Sequence, residues 1–310
     1  MIERFKISPT QFLALLYLLI ACFVLSFSPI SVRWSEQEIS PGATILDRYL
    51  FAAIILSIRS IWDFFQAKNN SEQPILARLS SRKILLLLVG TGIFSSSTQL
   101  LWAWSLTQTK VATSALIHSL TPLFLTLFAW IFLNRSFDRQ FLIGMAIALS
   151  ASIAIGIGDL QIATTQLQGD LLSLFSAILL GGYLLIVEQL RQYLSVSNIL
   201  LWCCLFSIFL LLPVLLMSGE PIFPDSRSGW LAIICLALTF VIGHGIMANI
   251  LKIFSSSIVA IVLLIEPFLI SIEARFFFAE KLSISEFISF FIILFGIYLA
   301  VSSPRQEVSK

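Results

Sequence analysis

Ten apolar runs of membrane-crossing length, at about 11–32, 44–65, 83–106, 111–133, 140–158, 170–187, 198–217, 229–250, 255–279 and 286–302, constrain this chain more than any other feature. Lipid offers the backbone no water to bond, so each run must satisfy its own amides and carbonyls, and a helix does so within a single segment. Only 12% of the residues are charged and 58% are hydrophobic, against about 25% and about 45–50% in soluble domains. The expected fold is an all-α integral membrane protein of ten transmembrane helices. The first run is longer than a signal-peptide core, and no small-x-small cleavage site follows Phe27, so it is expected to remain as a span.

Orientation follows from lysine and arginine, which stay on the cytoplasmic side. An even number of spans puts both termini on one face. That face would carry thirteen basic residues, among them Arg4, Lys6, Arg135, Arg191 and Lys310, against four on the other, Arg33, Lys110, Arg227 and Lys281. Both termini are therefore expected in the cytoplasm, with the chain multi-pass in a plasma membrane of the bacterial inner-membrane type. A net charge of +2 gives no footprint for nucleic acid. Cys22, Cys203, Cys204 and Cys235 all lie inside apolar runs with no histidine at ligand spacing, so no metal or other cofactor is expected.

The runs fall into two sets of five. A shift of 145 residues lays Pro122 on Pro267, Arg135 on Glu280 and Gln99 on His244. Identities at that shift are few, so the case rests on the order of the runs and the position of the prolines. Five is odd, so the second copy would enter the membrane from the opposite face. The expected organisation is a first repeat at 1–158, a polar linker at 159–169, an inverted second repeat at 170–303 and a cytoplasmic tail at 304–310. Inverted repeats can exchange conformations, which exposes a central cavity to each side in turn.

Several stretches carry a resemblance: RYLFAAIIL from Arg48, SALIHSLTPLF from Ser114, GDLLSLFSAILLGGYLLIVEQL from Gly169, and LLIEPFLISIEARFFFAEKLSISEF from Leu263. With these the chain resembles the EamA family of the drug/metabolite transporter superfamily over about 11–303. The resemblance implies two five-helix repeats, a permease activity and export of small metabolites such as amino acids. One departure is visible. The family usually closes the fourth and ninth spans with Gly-Glu-Arg; Ala279-Glu280-Lys281 keeps the acid and Asn134-Arg135-Ser136 does not.

Polar residues inside the runs are the candidates for chemistry. An ionised carboxylate at Glu266 costs at least about 2.5 kcal/mol at mid-membrane, so it needs a partner or a wet cavity. Pro267 and Pro122 each remove an amide and are expected to kink their helices, freeing the carbonyls of Leu263 and His118. Ser114, His118 and Thr121 share one helix face, as do Glu266, Ile270 and Glu273, and the two stripes are expected to face each other across the repeats. Glu266 and His118 are the candidate proton carriers. Gln99 and Trp102 on one face of the third span, Tyr183 and His244 complete the candidate substrate-binding set, with Asn249 and Lys252 a weak gate. Each of these residues could instead serve helix packing. Arg48, Glu273 and Arg275 read as interfacial residues that snorkel or pair.

No HExxH, GxSxG or Walker sequence is present, so neither an intramembrane enzyme nor an ATP-driven pump is expected. The partners expected are a small-molecule substrate, the bilayer and a coupling proton; oligomeric state is not legible. A structural membrane subunit, or a carrier of sugar phosphates or nucleotide sugars, is the alternative to an amino-acid carrier. Few interior cations weigh against phosphorylated solutes.

Overall fold

The computed structural model describes residues 8–67, 81–109, 111–157, 167–278, 284–303 and 308–309. In chain order the helices are α1 (Pro9–Ser35), α2 (Pro41–Ala67), α3 (Arg82–Gln108), α4 (Val111–His118), α5 (Thr121–Leu133), α6 (Arg139–Ile157), α7 (Leu167–Leu190), α8 (Val196–Ser218), α9 (Arg227–Leu238), α10 (Gly245–Ile250), α11 (Ser256–Val262), α12 (Glu266–Phe278) and α13 (Ile284–Val301). Among the described residues, eight stretches are helical and apolar enough to cross a membrane, counting α4 with α5, α9 with α10 and α11 with α12. Arg139–Ala154 and Phe287–Val301 are shorter apolar helices. The only strands described are residue pairs, Arg135–Ser136 antiparallel to Val308–Ser309. Most of the linker expected at 159–169 lies outside the described residues, and 167–169 open α7.

Local chemistry marks the helix ends. Ser8 and Gln11 form a reciprocal capping box ahead of Pro9, and the Ser195 and Ser226 hydroxyls accept first-turn amides of α8 and α9. Asn134 ends α5 in the left-handed region at φ 51°, and Gly219 ends α8 at φ 69°.

The two halves interleave. α3 packs along α7 and α8, α2 along α8, and α1 against α9 and α12. Because lipid tails are as apolar as leucine, helices gain from close approach, and small residues supply it. Gly144 of α6 and Gly296 of α13 face each other so closely that a Cβ on Gly296 would lie 2.6 Å from the Ala148 amide nitrogen and 2.7 Å from the Gly144 carbonyl oxygen. Ser105 and Ser114 hydroxyls meet at 2.9 Å, and the Ser173 hydroxyl donates to the Ser114 carbonyl at 2.7 Å, joining α3, α4 and α7. Large side chains cover the outside: Phe132, Phe209 and Met217 are 72%, 74% and 89% exposed, as befits a surface solvated by acyl chains.

Candidate functional site

The prolines stand where their helices are interrupted. α4 stops at His118, Ser119 and Leu120 turn, and α5 opens at Thr121 with Pro122 in its first turn. In the second half, α11 stops at Val262, Leu263–Ile265 tighten to a 3₁₀ turn, and α12 opens at Glu266 with Pro267 next. A proline in the first turn of a helix gives up an amide that would have had no helical partner. The carbonyls expected to be free are also taken. Thr121 Oγ1 donates to the His118 carbonyl at 2.7 Å, and the Glu266 amide donates to the Leu263 carbonyl.

Both interruptions border one cavity of about 40 Å³, lined by Trp102, His118, Thr121 and Pro122 from the first half and by Glu266 and Pro267, among others, from the second. That is room for a water or two. The Trp102 and His118 rings lie 5.5 Å apart. Ser176 Oγ gives its proton to the Thr98 carbonyl at 2.8 Å, so at 3.3 Å the Nδ1 of His118 is the donor to Ser176, which leaves Nε2 as an acceptor. Among the described residues the Glu266 carboxylate has no side-chain hydrogen-bond partner. Glu273, two turns on, is 4% exposed and bonds the Ser26 hydroxyl of α1 at 2.5 Å, so it does not snorkel. The side chain of Arg275 lies outside the described set, as do Glu280 and Lys281.

Gln99, Tyr183 and His244 gather at a second polar centre, around Arg48. Expected at the interface, Arg48 is instead 1% exposed. Its Nη1 donates to Gln99 Oε1 at 2.6 Å and to Ser28 Oγ at 3.3 Å, and its guanidinium lies 5.4 Å from the Phe240 ring centre. The α9–α10 stretch loosens into a π turn over Thr239–His244, which sets Phe240 and His244 side by side with rings 4.7 Å apart. Tyr183 Oη lies 3.5 Å from His244 Nδ1, and Tyr49 bonds Ser95 at 2.7 Å. Ser114 sits in the serine contacts between α3, α4 and α7, away from the cavity. Asn249 and Lys252 are exposed, and Asn249 borders a separate apolar groove against Thr10, Leu13 and Tyr17.

Contacts at the two ends of the bundle escaped the sequence reading. Just beyond α1, Glu38 accepts from the Ser226 amide at 2.9 Å and from the Ser226 hydroxyl, fastening the α1–α2 turn to the start of α9. At the opposite end, where α5 and α7 finish, Arg135 grips Glu188 through two bonds of 3.0 and 3.2 Å, and Ser256 donates to the same carboxylate at 2.6 Å. Arg191 is also buried there, donating to the Ala248 and Leu194 carbonyls. Partners 53 and 188 residues apart in sequence leave no local signal.

The Ser226 hydroxyl, then backbone amides, hold the Glu38 carboxyl below its ordinary range. A depressed carboxylate contributes above its unfolded value and loses that contribution as pH falls through the folded one. Glu38→Ala is expected to speed amide hydrogen exchange at Ser226 and Gly229 several-fold at neutral pH, with no change at Ser256. In the unsubstituted protein the same acceleration, corrected for intrinsic rates, is expected on acidification.

The sequence matches the EamA-like transporter family over residues 12–157 and again over 167–302. The chain belongs to that family. Its EamA halves are the two interleaved sets of helices, and the cavity lies where their proline interruptions meet. Twenty-nine solved chains match the fold. One, described only as "Crystal structure of protein", has a TM-score of 0.71 at 16% identity and covers 93% of this chain and 96% of its own. At that identity the likeness speaks for the fold alone. No curated protein matches the sequence.

Proposed function

We propose that this EamA-family membrane protein is a secondary carrier that moves a small polar metabolite, an amino acid or a related compound, by alternating access and in the direction of export. Ten spans as two inverted five-helix repeats complete the reading, with the apolar α6 and α13 as the fifth and tenth and both termini in the cytoplasm. A single observation carries it: one cavity takes in the helix interruption of each half together with an acid, a histidine and a tryptophan. Discontinuous helices that meet at mid-membrane are how carriers of this general design build a polar site inside lipid. The fastenings at Glu38 and at Arg135–Glu188 lie at opposite ends, so one can hold while the other parts. Glu266 and His118 line that cavity, which supports assigning them the exchange of a proton with the solute or with water.

Counterflow in liposomes tests this directly. Purified protein preloaded with each unlabelled amino acid in turn is expected to accumulate the labelled one with saturable kinetics. Uptake no greater than in protein-free vesicles across the panel would favour a structural membrane subunit.

A further inference from the structure

We infer that Arg48 is the anchor for an anionic group of the transported solute, and that this group is a carboxylate. The inference rests on the carrier reading above and names a substrate chemistry for it.

An arginine cannot discharge itself by losing a proton, so a buried guanidinium must be balanced by something outside itself. Arg48 is 1% exposed, and what surrounds it is neutral: the Gln99 amide, the Ser28 hydroxyl and the face of Phe240. The one ion pair among the described residues, Arg135 with Glu188, does not involve it. Its chain neighbour Asp47 projects about 100° further round the helix, and neither carboxylate oxygen of Asp47 has a partner. The Nε of Arg48 is buried without an acceptor. Nη1, on the far side of the guanidinium, is held by Gln99 and Ser28, whereas the Nε–H points the same way as Nη2, and that pair is the fork a carboxylate fills with two parallel bonds.

The surroundings narrow the anion. Arg191, the other buried arginine among the described residues, lies at the end of the bundle and is committed to backbone carbonyls, so Arg48 is the positive charge found at this centre. One charge balances one carboxylate, whereas a phosphate dianion calls for several cations. His244 stands against Phe240 and Tyr183 against His244, and the two add polar hydrogen-bonding capacity beside the guanidinium. The π turn at Thr239–His244 breaks the regular ladder of its helix beside the charge, a distortion that recurs at functional sites. Gln99, which holds Arg48, is one turn of α3 from Trp102, which lines the cavity with Glu266. An acid in the cavity and a base held by a residue one helical turn from the cavity wall complement a zwitterion.

The test uses purified full-length protein and its thermal unfolding midpoint in the presence of paired probes: L-phenylalanine against phenethylamine, L-leucine against isopentylamine, L-lysine against 1,5-diaminopentane, and inorganic phosphate alone. At least one amino acid is expected to raise the midpoint while its decarboxylated partner and phosphate do not. Arg48→Met removes the charge at similar volume and is expected to weaken that response about ten- to hundredfold, as for loss of a hydrogen bond to a charged group. An amine as effective as its acid, a stronger response to phosphate, a response undiminished in Arg48→Met, or no response to any acid overturns the inference. If Arg48→Met does not fold, Arg48→Lys, which keeps the charge and loses the fork, is expected to weaken the same acid response, and an undiminished response in it overturns the inference. Counterflow separates the two readings: flux with no dependence on the carboxylate removes only the anchor, and a carboxylate response without flux removes only the carrier.

Discussion

Vesicles bearing Glu266→Gln are expected to lose solute movement driven by a pH gradient, by at least about tenfold, while exchange of labelled for unlabelled solute continues. Glutamine keeps the shape and hydrogen-bonding reach of glutamate but has no proton to release near neutral pH. Glu266 is the carboxylate that lines the cavity between the two helix interruptions, with no side-chain bond to another described residue to hold it. Glu273 cannot stand in, since it is buried against Ser26. Net coupled transport requires a group that loads and unloads a proton in each cycle, whereas exchange needs only the solute-bound form to change sides. Gradient-driven flux that is unchanged in the variant would remove Glu266 from the coupling role. A loss of exchange equal to the loss of driven flux would make it a binding or packing residue instead.

The largest effect on stability is expected from Gly296→Ala at the α6–α13 seam. The added methyl would sit 2.6 Å from the Ala148 nitrogen and 2.7 Å from the Gly144 oxygen, both backbone atoms that no side-chain rotation can clear. The helices must part along the seam, at about 1–3 kcal/mol, toward the upper end because backbone meets backbone. Gly245→Ala provides the control. Its new methyl would find its nearest neighbour, Leu200 Cδ1, at 3.9 Å, ordinary contact, so stability is expected to hold or rise by up to about 1 kcal/mol from helix propensity, with the midpoint unchanged or raised. Thermal unfolding of both variants in one detergent checks the contrast, and equal midpoints would mean that the seam is looser than described.

The readable parts of the site were those whose signal is local. Glu266, His118 and Thr121 were nominated because helical spacing fixes which residues share a face and lipid makes an interior acid conspicuous, and the cavity takes in all three; the same spacing also nominated Ser114 and Glu273, which it leaves out. The prolines were equally visible, but that Thr121 would take up the His118 carbonyl was not, since a side-chain rotamer decides it. Arg48 misled for a physical reason. Seven residues into its helix it has the length to reach an interface, and only the neighbours Ser28, Gln99 and Phe240 turn that face inward. Glu188 and Glu38 were silent because their partners come from distant segments, and the loosened turn at Thr239–His244 has no proline to announce it.

A helix whose hydrogen-bond ladder is unbroken swings as a rod, so tilting one end drags the other. Where the ladder lapses, at Ser119–Leu120 and at Leu263–Ile265, the segments on either side are joined by an elbow. In the proposed carrier, either mouth widens by flexing the half-helices that border it, leaving the far halves seated. The motion needed to admit a solute is then set by the leverage of segments seven to thirteen residues long, and stiffening one elbow should jam traffic through one mouth before the other.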